Sequence, residues 1–163
     1  MRRLGRLARS YDTSGERPLV GYAVLLAAYV ALSGAVLAVL LRHRDRWPLP
    51  GRDVAVGAVV VFRLSRLLTK DAVTAALRAP WTVYDGPGDP GEVNERPRRG
   101  PVRHAVGELV TCPFCLGQWV ATAWLGAAVA APGLTRVGGQ ALMAGAASDV
   151  LQQLWARLAA TPH

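Results

Sequence analysis

Cys112 and Cys115 are the two cysteines of the chain, and they enclose Pro113 and Phe114. Proline is favoured at the first helical position, so the spacing predicts that Cys112 caps a helix and Cys115 is its third residue. Both sulfurs would then lie near free backbone N–H groups at the positive end of the helix dipole, which stabilises a thiolate. This pattern is compatible with a reversible disulfide, with half of a metal site, or with inert packing.

A metal site is difficult to complete within one chain. Structural zinc takes four ligands, whereas the sequence offers Cys112, Cys115 and, as a weak metal candidate, His104. A thioredoxin-like redox enzyme would need a βαβ context, which the sequence does not contain. We therefore expect no cofactor and no catalytic residue, and we keep zinc bound between two subunits as an alternative.

The elements that must position the cysteines are long apolar segments. Leu19 to Leu41 carries no charged residue, and a run of this length can cross the ~30 Å hydrocarbon core of a bilayer. It is too long for the apolar core of a cleavable signal peptide, so we interpret it as a retained transmembrane helix. We predict an all-α, polytopic membrane protein with about four transmembrane helices in one membrane domain over residues 19–163. The predicted spans are 19–41, 53–79, 113–131 and 135–160.

Prolines, glycines and charges of both signs dominate residues 80–104. Such a composition is typical of chain that cannot bury a core, so the sequence predicts a flexible loop between the second and third spans.

Positive charge is unevenly distributed along the chain, whose formal net charge is +8. Arginines are concentrated in the basic tail at 1–18 and in the 80–104 loop, and cytoplasmic segments of membrane proteins carry such an excess. We therefore expect a multi-pass protein of the bacterial cytoplasmic membrane with cytoplasmic termini and a cytoplasmic, reduced cysteine pair. The expected partners are the lipid bilayer and either a second copy or another membrane protein. No motif indicates a nucleic-acid partner.

Charged residues inside the predicted spans need partners. Arg63 lies about nine residues, or ~14 Å, into the second span, where an unpaired charge is costly. We predict that Arg63 or Arg66 pairs with Asp149 of the fourth span. Glu108 is expected to pair with one of three basic residues, which are Arg66, Lys70 and Arg78.

Three sequence segments carry a resemblance to a known family. They are Arg63-Leu-Ser-Arg-Leu-Leu-Thr-Lys-Asp71, Arg78-Ala-Pro80, and Gly107-Glu-Leu-Val-Thr-Cys-Pro-Phe-Cys-Leu-Gly-Gln-Trp119. Over about residues 54–131 the chain resembles domain-of-unknown-function family 1360, whose members are small bacterial membrane proteins. The resemblance implies a membrane location and supplies no activity. It also suggests one constellation, formed by Arg63, Arg66, Asp71, Arg78, Glu108, Cys112, Cys115 and Trp119.

The sequence thus favours a non-enzymatic envelope or interaction protein with a cytoplasmic dithiol. The first alternative is a membrane thiol-disulfide oxidoreductase or redox sensor, which requires exposed sulfurs. The second alternative is a zinc-linked dimer, which requires four ligands around the metal. Buried sulfurs would instead indicate a purely structural role.

Overall fold

The protein is mostly helical, and the computed structural model describes Tyr11 and residues 17–160. Most of the predicted basic tail at 1–18, and residues 161–163, lie outside the described residues. The four long helices are α1 (Leu19–Arg42), α2 (Gly51–Lys70), α5 (Pro113–Ala130) and α6 (Pro132–Ala159). The shorter elements are helix α3 (Ala75–Arg78), strands β1 (Thr82–Pro87) and β2 (Val93–Pro97), and helix α4 (Pro101–Thr111).

The four long helices form a bundle. Helix α5 packs against α1, α2 and α6, and α6 also packs against α2. Few side chains are buried: Val60 and Val129 are fully covered, and Val36 and Val120 nearly so. Glycines allow the helices to approach closely, as at Gly126 of α5, where an added Cβ would lie 3.0 Å from a methyl of Val36. The described part of the bundle therefore has a thin core.

Two helices, α1 and α5, are long and apolar enough to cross a membrane. Only 6% of the most apolar 18 residues of α1 are buried inside the protein, compared with 22% for α5. Large apolar side chains are also exposed along α6, among them Leu134, Leu151 and Trp155. The bundle therefore presents apolar side chains outward.

The second helix is shorter than predicted. We expected it to continue to residue 79, but α2 ends at Lys70 and the chain turns at Asp71. The Asp71 carboxylate accepts a hydrogen bond from the backbone N–H of Val73 at 2.8 Å, which stabilises a turn in place of another helical turn. Helix α3 follows this turn as a separate element.

The predicted flexible loop at 80–104 is also wrong in its central part, because β1 and β2 form an antiparallel hairpin. Tyr84 is opposite Glu95, and the register shifts between Tyr84 and Gly86, where Gly86 has a φ of 129°. Helix α4 then starts at Pro101, within the same predicted loop. The fold is therefore mostly helical with one small hairpin.

Helix α4 is packed closely between α1 and the hairpin. A Cβ added to Gly21 of α1 would lie 2.1 Å from the carbonyl oxygen of Pro101. A Cβ added to Gly107 of α4 would lie 2.7 Å from the carbonyl oxygen of Trp81 and 2.8 Å from Cβ of Pro97. Contacts this short leave room only for hydrogen at both positions, so α4 fixes the hairpin against the start of α1. We call this end of the bundle, formed by the start of α1, the end of α2, the hairpin and α4, the hairpin end.

Candidate functional site

The two cysteines lie at the junction of α4 and α5, at the hairpin end. Cys112 has an extended backbone (φ −107°, ψ 108°), and Pro113 is the first residue of α5. The Sγ atom of Cys112 accepts a hydrogen bond from the backbone N–H of Cys115 at 3.2 Å. The prediction that Cys112 caps this helix is therefore confirmed. Its sulfur satisfies one of the free N–H groups of the first turn.

Both cysteines are free thiols that remain accessible. Cys115 is exposed and Cys112 is half-buried. Phe114, between them, has 93% of its surface exposed and is among the most exposed apolar residues described. The two thiols thus flank a protruding aromatic ring, an arrangement that buried structural cysteines do not show.

His104 does not join the two sulfurs. It lies on α4 with its Nε2 atom 3.5 Å from Oε1 of Glu108, one turn further along the same helix. Among Tyr11 and residues 17–160, no three His, Cys, Asp or Glu side chains form a group that could hold a metal ion. A zinc site on this cysteine pair would therefore need ligands from outside the described part of one chain.

Arg78 is buried and closes the end of α2. Its guanidinium donates hydrogen bonds to the carbonyl oxygens of Leu68 and Asp71, both at 3.0 Å, and to Oγ1 of Thr74 at 2.6 Å. Its Nε atom donates to the carboxylate of Glu95 on β2. These bonds satisfy carbonyls that a helix end leaves without intrahelical partners. Arg78 is therefore a structural cap.

Thr74 completes this cap. Its hydroxyl lies 2.5 Å from the carbonyl oxygen of Leu67 and 3.1 Å from that of Asp71, and it can donate to either. The sequence analysis missed both Thr74 and Glu95. The strand Val93–Pro97 alternates in burial, but its sequence shows no apolar-polar alternation, since Asn94, Glu95 and Arg96 are consecutive polar residues.

Arg66 also pairs with the hairpin. Its Nη2 atom lies 2.6 Å from Oε1 of Glu92 and 3.6 Å from Oδ2 of Asp89. A second link is the isolated β-bridge between Asp71 and Glu92. The end of α2 is thus joined to the hairpin by side chains and by backbone.

Glu108 contacts the start of α1, so the predicted pairing with Arg66, Lys70 or Arg78 is wrong. Its carboxylate accepts a hydrogen bond from the Tyr22 hydroxyl at 2.6 Å and from Nη1 of Arg17 at 3.3 Å. The Tyr22 hydroxyl, followed by the Glu108 carboxylate, raises the pKa of the Arg17 guanidinium. Glu108 points toward α1 because α4 packs across α1. The sequence did not predict a helix at 101–111, so it could not reveal this contact.

The predicted pairing of Asp149 is confirmed with Arg63 as its partner. The two side chains form an ion pair between α2 and α6, with 29% and 39% of their surfaces exposed. Arg63 is seven residues from the end of α2, or ~10 Å along the helix axis. Gly145 of α6 leaves space beside it, since an added Cβ would be 3.9 Å from Nε of Arg63.

Trp119 packs against α1. Its ring lies edge-on to Tyr29, with ring centroids 5.2 Å apart. The Tyr29 hydroxyl also accepts a hydrogen bond from Nε2 of Gln118 at 2.9 Å and lies 2.8 Å from Oγ1 of Thr122. The sequence did not single out Tyr29, because an uncharged tyrosine within an apolar run shows no partner in the sequence.

The residues of the predicted constellation therefore take part in separate contacts at or near the hairpin end. Arg66, Asp71 and Arg78 hold the hairpin on α2, Glu108 binds the start of α1, and Arg63 pairs across the bundle. Among these side chains, the two cysteine thiols are the accessible reactive groups.

Comparison with known protein families identifies a match. The model of the family DUF1360, Protein of unknown function, matches residues 56–155. No curated protein and no solved structure matches the chain.

Proposed function

Because the chain belongs to DUF1360, a family whose function is unknown, we propose its function from the geometry of this chain. It is a small multi-pass protein of the bacterial cytoplasmic membrane that presents a dithiol to partner proteins at its cytoplasmic face. The observation that carries the membrane location is α1, a long apolar helix whose side chains the rest of the protein leaves uncovered. In water, exposing that much apolar surface would be strongly unfavourable.

Four membrane crossings account for the outward-facing apolar side chains of the bundle. Helix α2 contributes its buried face to the bundle, and Arg63 and Asp149 neutralise each other between α2 and α6. A charge pair of this kind reduces the cost of placing charged groups among apolar helices. The arginines of the tail and of residues 96–103 favour the hairpin end as the cytoplasmic one.

Extraction and labelling test this location and orientation. After alkaline carbonate washing of membranes, the full chain should remain in the pellet and detergent should release it. In a Cys112→Ser/Cys115→Ser chain, single cysteines replace either Asp89 of the hairpin or Asp45 of the opposite connection, whose side chains are 79% and 78% exposed. A membrane-impermeant maleimide on intact cells should label the Asp45 variant and spare the Asp89 variant. The reverse pattern would overturn the orientation, and release by carbonate would overturn the membrane location.

A thiol-disulfide function is the second candidate, and the exposure of Cys115 beside Phe114 favours it. The exposed ring supplies an apolar contact for a partner next to an accessible thiol.

A zinc-linked dimer is distinguished from a thiol-disulfide protein by metal analysis of the purified protein. If the purified protein is a dimer that contains zinc, and the Cys112→Ser/Cys115→Ser variant loses both the zinc and the dimer, the metal function is supported. A zinc-free protein with a reversible disulfide would support the redox function.

A further inference from the structure

A cavity of about 480 Å³ lies at the end of the bundle opposite the hairpin, where α2 and α6 begin and α5 ends. Its size is within the range of small-molecule sites. None of the contacts described above at the hairpin end reaches it. It is therefore separate from the dithiol.

The rim of this cavity is positively charged. Arg52 of α2 and Arg136 of α6 both line it, and Asp53 is the acidic residue of the lining. Arg52 lies 3.4 Å from Asp53, whereas Arg136 has no ion pair or side-chain hydrogen bond within residues 17–160. Two helix N-termini, those of α2 and α6, meet one helix C-terminus, that of α5, so the helix dipoles add a net partial positive charge here. The rim thus has the charge to hold an anion.

The deeper part of the cavity carries apolar and aromatic side chains beside the polar Gln140. Val56 and Trp124 line it. Trp124 is six residues before the end of α5, which places it ~9 Å below the rim. Its indole is held in position by contacts at Gly57 and Gly139, where added Cβ atoms would lie 3.3 Å and 3.6 Å from it. A ligand that fits both regions has an anionic head and an apolar body.

We propose that this cavity binds the phosphate group of an anionic amphiphile, held between Arg52 and Arg136, with the apolar part against Val56 and Trp124. Arginine suits phosphate because its planar guanidinium donates two parallel hydrogen bonds. Gln140 and Thr135, which also line the cavity, supply further polar groups. A lipid source of the phosphate rests on the proposed membrane location, since the rim would then lie at the bilayer surface.

Native mass spectrometry of the full chain in detergent tests the proposal with three probes: phosphatidylglycerol, phosphatidylcholine and inorganic phosphate. Phosphatidylglycerol should bind in preference to phosphatidylcholine. Arg52→Gln and Arg136→Gln should each weaken binding about tenfold, the effect expected from loss of one hydrogen bond to a charged group. Asp53→Asn should strengthen binding, because it removes the negative charge of the lining. Arg44→Gln is the matched control, since Arg44 lies in the same end connection and does not line the cavity.

Two results would overturn the proposal. One is that none of the three probes binds to the protein. The other is binding that the Arg52→Gln/Arg136→Gln double variant retains unchanged, which would indicate general lipid association. Inorganic phosphate that binds as tightly as phosphatidylglycerol would support the phosphate site and assign it to a soluble phosphate compound. This arm needs no bilayer, so its outcome is independent of carbonate extraction, which tests the membrane location.

Discussion

Arg78 and Glu95 form an ion pair that is almost fully withdrawn from solvent, with 2% and 6% of their side-chain surfaces exposed. The pair joins α3 to β2, while the other Arg78 nitrogens bind carbonyls at the end of α2. One side chain thus links the end of α2 to the hairpin. Because the pair is buried, either charge left alone would have no water to stabilise it.

Removing one partner of this pair should therefore destabilise the protein strongly. We expect Glu95→Gln and Arg78→Ala each to lower the free energy of unfolding by about 3–5 kcal/mol, the range for breaking a buried ion pair. The matched control is Arg96→Gln, which removes a pair with Asp85 whose side chains are 62% and 57% exposed. Its effect should stay within about 1 kcal/mol. Unfolding of the detergent-solubilised protein provides the measurement, and equal effects of Arg96→Gln and Glu95→Gln would refute the structural role.

Adding a methyl group at the close contacts of α4 should also be unfavourable. Gly21→Ala and Gly107→Ala place a Cβ within 2.1 Å and 2.7 Å of backbone oxygens, so a helix must move. Overpacking of this kind costs about 1–3 kcal/mol. Gly34→Ala, also in α1, meets nothing within 4 Å and should be neutral or stabilising. Thermal unfolding of the three variants distinguishes them, and a stable Gly107→Ala protein would contradict the close packing of α4 on the hairpin.

The Arg63–Asp149 pair should show energetic coupling between α2 and α6. In a double-mutant cycle with Arg63→Gln and Asp149→Asn, we expect a coupling energy of about 0.5–3 kcal/mol, as for residues in direct contact. The exchanged variant Arg63→Asp/Asp149→Arg should recover part of the lost stability. A cycle of Arg63→Gln with Asp53→Asn, ten residues away on α2, should be additive. Additivity in the first cycle would show that the ion pair contributes nothing to bundle stability.

The cysteine pair should form a disulfide within one chain when oxidised. Cys112 already contacts the backbone of Cys115, and both thiols are accessible. After diamide treatment, the two residues should become resistant to alkylation together, and the intact mass should fall by two hydrogen atoms. Cys115→Ser should abolish that mass change. Complete alkylation of both thiols in the diamide-treated native protein would exclude the redox function and leave packing or metal binding.

The sequence predicted those features that depend on local pattern or on the cost of burying charge. The uncharged run from Leu19 determined α1, which ends at Arg42, and Pro113 determined the start of α5. The Arg63–Asp149 pair followed from the need of an arginine in an apolar helix for a partner. In each case a few residues are sufficient to state the physical constraint.

The hairpin and the end of α2 could not be predicted in this way. No proline or glycine lies between Lys70 and Ala79, so local propensity allows the helix to continue. It stops because Arg78 returns to the carbonyls of Leu68 and Asp71, and this arrangement requires Glu95 from a distant strand. The position of Glu108 depends in the same way on where α4 lies across α1. Such features arise from tertiary contacts, which one sequence does not specify locally.

The close packing of α4 has a consequence for the order of synthesis. The close contacts of α4 at Pro101, Gly107 and Glu108 are with residues that precede it in the chain: Gly21 and Tyr22 of α1, Trp81 just before β1, and Pro97 of β2. Once residue 111 has left the ribosome, these contacts can therefore form before α5 and α6 have emerged. Helix α1, the hairpin and α4 would then be assembled first, and α5, which begins at the two cysteines, would pack beside them.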